Sequence, residues 1–90
     1  MTEDDAKVIL RAVIEAYDTL NFAAAELNKR MDEDEARSVR LNIAYVLTEL
    51  GDRLFEPAFA AHPQLRPGNT NAEWAELRKT VGARDLSRSA

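Results

Sequence analysis

Ninety residues, a net charge of −4 and no cysteine allow one domain and exclude a disulfide framework or a thiolate site. The acidic balance disfavours nonspecific binding to nucleic acid or an anionic membrane, because phosphates repel it. The charge is uneven: residues 1–57 hold 13 acids and 7 bases, whereas residues 58–90 hold 3 acids and 5 bases.

The chain opens Met1-Thr2-Glu3-Asp4-Asp5, which is acidic where an export signal is basic and then apolar. With the missing cysteines, this predicts a reducing, cytoplasmic setting. No apolar run approaches the ~18 residues a membrane span needs.

The first helix is expected to start after Thr2. Thr2 and Asp5 have capping-box spacing, and Glu3, Asp4 and Asp5 suit the positive end of a helix dipole. An apolar ladder then runs through Ala6, Leu10, Val13, Tyr17, Leu20, Ala24, Leu27 and Met31 in steps of four and three. That rhythm belongs to a helix packed along its length against another. Neither Gly nor Pro interrupts it, so the helix is expected to reach about Met31.

Asp32-Glu33-Asp34-Glu35 breaks the ladder and supplies a second N-cap, Asp32, with Glu35 as its partner. A second helix from about Glu33 to Leu54 follows, with a stripe at Ala36, Val39, Ile43, Val46, Leu47, Leu50 and Leu54. Gly51 reads as a C-cap or a weak point. Pro57 predicts a kink or stop near Phe55, then a helical turn over 57–61. Pro63, Pro67 and Gly68 mark a connector. Thr70 and Glu73 cap a third helix, about Asn71 to Val81, with Trp74, Leu77 and Val81 on one face and Gly82 as its C-cap.

The expected fold is therefore all-α: an antiparallel helical hairpin plus a short third helix, dimerising into a helical bundle. Residues 1–82 form a single helical domain and 83–90 a flexible tail. The expectation of a homodimer rests on apolar excess. Val8, Ile9, Ala12, Ile14, Ala16, Ala23 and Ala25 flank the first ladder, and Leu41 and Tyr45 lie outside the second stripe. Leu10, Val13, Tyr17, Leu20, Leu27, Ile43, Leu50 and Trp74 are the expected core or dimer ladder. The competing arrangement folds Phe55, Phe59, Leu65 and Trp74 back over the hairpin of the same chain.

Chemistry is sparse. The one histidine, His62, sits between Ala61 and Pro63, and its nearest preceding acid is Glu56. No Glu-x-x-His pair, nucleophile–base set or glycine-rich loop forms, so neither a metal nor a cofactor is expected. The stretch Leu10-Arg11-Ala12-Val13-Ile14-Glu15-Ala16-Tyr17-Asp18 resembles the first-helix start of the small all-helical chorismate mutases. That resemblance implies a dicarboxylate pocket lined by arginines, with Arg11 the first of them. The second arginine would fall on Asn28, a departure from the pattern, and the resemblance covers about nine residues.

Lys29, Arg30, Arg37 and Arg40 make one basic spot beside the acidic turn. A ROP-like RNA-binding hairpin would use such a spot. However, Glu15, Asp18 and Glu26 are expected on the exposed side of the first helix, so nucleic acid is not the expected partner. The remaining class is a non-enzymatic interaction module of the regulator, inhibitor, immunity or antitoxin kind. Its expected partners are a second copy of itself and another protein. Leu54, Phe55, Phe59 and Leu65, clustered among prolines, are the candidate docking residues, with closure of the core as their other role.

Overall fold

A computed structural model describes residues 1–86. The far end of the expected tail, 87–90, lies outside the described residues. Among the described residues every regular element is helical. α1 spans Glu3–Asn28, α2 Glu33–Leu50, α3 Glu56–Ala61 and α4 Asn71–Val81. A π-helical turn, Gly51–Phe55, joins α2 to α3 without a break, and a 3-10 turn, Pro63–Leu65, follows α3.

Local chemistry sets the helix ends. The Asp5 N–H donates to the Thr2 hydroxyl and the Thr2 N–H to the Asp5 carboxylate, both at 3.1 Å. Those are the two halves of a capping box. Asp32 accepts from the Glu35 N–H at 2.9 Å and starts α2 with the first half alone. Thr70 accepts from the Glu73 N–H at 3.1 Å. The Glu73 carboxylate then takes the Thr70 hydroxyl and the Gly68 N–H, each at 2.8 Å. Gly82 ends α4 at φ 73°, in the left-handed region that a side chain disfavours.

Two boundaries differ from the sequence reading. α1 stops at Asn28, three residues early. α2 ends at Leu50 rather than Leu54, and Gly51 follows it as a C-cap residue that is right-handed, at φ −62° and ψ −51°, so the chain runs on into the π turn. Pro57 explains the π turn. It lacks an N–H, and its ring would press on the carbonyl of Arg53, four residues earlier. A wider turn, with the Glu56 N–H reaching back five residues to the Gly51 carbonyl, relieves that conflict and keeps the rod going. Gly51 serves another purpose: a Cβ there would stand 3.0 Å from the Tyr17 hydroxyl oxygen.

α1 touches α2, α3 and α4. Contacts step away from the 29–32 turn along both helices, from Asn28 with Arg40 to Tyr17 with the Leu47 carbonyl and then the Phe55 ring. The core lies at the end far from that turn. Ala6, Leu10, Val13 and Ile14 of α1 meet Phe55, Ala58, Phe59 and Leu65 from one side and Leu77 and Val81 of α4 from the other. Tyr17, Leu50 and Trp74 pack half-buried against this cluster. Leu20, Leu27 and Ile43 are half-buried and stand outside it. The ladder is thus core over its first half and a partly open seam over its second.

α4 is held by packing and by charge. The Trp74 ring centroid lies 5.9 Å from Phe55 and 6.5 Å from Phe59. An 11-residue helix does not persist alone in water. Trp74→Ala is therefore expected to cost about 2–3 kcal/mol in urea denaturation. A loss under ~0.5 kcal/mol, the scale of an ordinary surface substitution, would show that the ring does not anchor α4.

Candidate functional site

Phe55, Phe59 and Leu65 are buried, and of the four expected docking residues Leu54 alone is exposed. The first three close the core within one chain, together with Trp74. Two surfaces border this segment: one contains Leu54, and the other exposes an edge of the Phe55 and Phe59 cluster.

The first is apolar. Val8, Ala12 and Ala16 recur every four residues along α1; Val8 and Ala12 are exposed, Ala16 is half-buried, and none belongs to the core cluster. Leu50 and Leu54 lie across from them, and together they line a shallow trough of about 380 Å3. Val8 is 54% exposed, Val46 50% and Leu54 40%. Leu41 and Tyr45, farther along α2, are exposed as well.

The second is a cleft of about 460 Å3 beside the π turn. Its walls include Tyr17, Asp52, Phe55, Glu56, Arg66 and Trp74. The Tyr17 hydroxyl donates to the Leu47 carbonyl at 2.8 Å. Burial raises its pKa above the ordinary tyrosine value, and the Asp52 charge raises it further. On the far wall Arg66 forks onto the Glu56 carboxylate at 2.8 and 3.2 Å. Its guanidinium carbon lies 4.9 Å from the Phe59 ring centroid. The Glu56 pKa is lowered, first by that hydrogen bond.

Charged residues expected on an open face are engaged. Asp18 is 6% exposed. It accepts a two-pronged bond from Arg78 of α4 at 2.6 and 2.7 Å, which overturns its assignment to the solvent side of α1. Glu15 takes the Arg84 N–H and guanidinium, each at 2.9 Å, and these bonds lower its pKa. Ala83 packs against the core. Residues 83 and 84, at the near end of the expected tail, thus make specific contacts. Arg37 and Arg40 pair with Glu33, and Lys29 with Glu26, so the basic spot at the turn is largely compensated. Arg11 lines an adjoining groove with Glu15, Gly82 and Arg84, which shares Val8 and Ala12 with the trough. Asn28, where the mutase-like pattern wants an arginine, instead accepts from Arg40.

His62 faces the Met1 carbonyl at 3.1 Å. Among the described residues no group of three or more His, Asp or Glu side chains is placed to hold a metal ion. No described helix is long and apolar enough to cross a membrane. Comparison with protein-family models, with curated proteins and with solved structures gave no match.

Proposed function

We propose that the chain is a non-enzymatic protein–protein interaction module that works as a homodimer in the cytoplasm. In this reading α1 and the α2–α3 rod form an antiparallel hairpin, and two such hairpins pair face to face as a bundle. The observation that carries it is the trough of Val8, Ala12, Ala16, Leu50 and Leu54, in which Val8 and Leu54 stay exposed in the single chain. Its small alanines let a partner helix approach closely, and its leucines supply the area to bury.

The exposed apolar side chains Val8, Leu41, Tyr45, Val46 and Leu54 support a second copy as the occupant, which would cover them. The cytoplasmic setting is supported by the cysteine-free composition.

Light scattering at micromolar concentration is expected to give twice the 10.1 kDa chain mass. Leu54→Glu is expected to return the mass to that of one chain while the helical circular-dichroism signal stays, since Leu54 is exposed within the single chain. A wild-type protein that remains monomeric up to millimolar concentration would sink the homodimer.

A further inference from the structure

We propose that the cleft beside the π turn is a receptor for an arginine side chain presented by a partner protein. This rests on the interaction-module reading in taking its cation from a protein, and it does not require the homodimer.

The chain displays the recognition unit once already, filled by its own residue. Glu56 and Phe59 hold Arg66, the carboxylate gripping the guanidinium from the side and the ring lying beneath it. One turn earlier on the same rod, at the same spacing, stand Asp52 and Phe55. This second carboxylate and ring line the same cleft and hold no arginine. Among the described residues no hydrogen bond or ion pair engages the Asp52 carboxylate. Its charge is felt within the cleft, where it adds to the raised pKa of the Tyr17 hydroxyl.

Tyr17 and Trp74 flank Phe55, with ring centroids 5.2 and 5.9 Å from it. Both are half-buried and line the cleft. Ring faces attract a cation within ~6 Å of their centroids. The combination of half-buried Tyr17 and Trp74 rings and one unpaired carboxylate fits a planar guanidinium better than a compact, strongly hydrated ammonium. The aliphatic stem of arginine suits the apolar part of the walls. The cleft is also large enough for a side chain of that size.

The test uses the full chain and the peptide acetyl-Gly-Gly-Arg-Gly-Gly-amide, with lysine and citrulline versions beside it. Trp74, the single tryptophan, lines the cleft and reports binding by its emission. The arginine peptide is expected to give a saturable change, with Kd on the order of 1 mM for one side chain. Citrulline has the same shape without the charge and is expected to bind at least about tenfold more weakly. Asp52→Asn is expected to weaken the arginine peptide by a similar factor. Asp52 is exposed, and an unchanged circular-dichroism spectrum will verify that the variant folds. Leu54→Glu is expected to bind the peptide as the wild type does, because Leu54 lines the trough and not the cleft. No saturable response up to ~10 mM would overturn the proposal. So would equal binding of citrulline or lysine, or an Asp52→Asn variant that binds normally. A chain that proves monomeric but binds arginine through Asp52 would remove the homodimer and leave this site standing.

Discussion

Leu10→Ala is expected to remove about 3–4 kcal/mol of folding free energy. Leu10 is fully buried, in contact with the cluster that α1, α4 and the aromatic segment build together. Deleting three carbons there loses their transfer free energy and leaves a void. Three rigid elements surround that void, so it cannot easily collapse. A domain of this size has roughly 5–10 kcal/mol to lose. Urea denaturation should show a lower midpoint with an unchanged slope, the mark of lost stability without a changed unfolded state. Leu20→Ala, at a half-buried position three steps along the same ladder, is expected to cost less than half as much. Equal losses at the two positions would mean that the ladder is one uniform core.

The second large effect concerns the pair that clamps α4. Arg78→Met is expected to cost about 3 kcal/mol, and Asp18→Asn about 1–2 kcal/mol. The asymmetry comes from burial. The Asp18 side chain is 9% exposed, so without Arg78 its carboxylate is left charged with little water. The Arg78 side chain is 37% exposed and can turn to solvent when Asp18 is lost. The double variant is expected to be more stable than the sum of the single losses implies, with a coupling of about 1–2 kcal/mol. Equal single losses, or strict additivity, would show that the pair is a solvated surface contact worth little.

These two sites show what the sequence reveals and what it hides. Thr2, Asp32, Thr70 and Gly82 were legible because a cap is satisfied within about three residues of itself. The helical class was legible because the apolar spacing repeats over many turns. Asp18 with Arg78 and Glu15 with Arg84 were not legible, since sixty or more residues separate the partners. Nothing in the local pattern distinguishes a paired acid from a solvated one. The aromatic segment gave a half-answer: four bulky apolar residues near prolines must be covered, but the coverage of three of them by their own chain depends on where α1 lies. The cleft stayed hidden for a related reason. Asp52 reads as an ordinary helix-surface acid until Tyr17 and Trp74 are seen beside it.

The π turn has a geometric consequence for everything beyond it. A wide turn absorbs one extra residue, so the helical wheel after Phe55 is set back by about 100° from where an unbroken α-helix would carry it. Leu50 and Leu54 are plotted on one wheel, and Phe59 on another. The setback decides the angle at which Ala58 and Phe59 of α3 enter the core beside α1. A deletion of one residue between 51 and 55 would restore a uniform pitch and merge the two wheels. Chain length in this stretch therefore acts as an angular setting for every side chain beyond it.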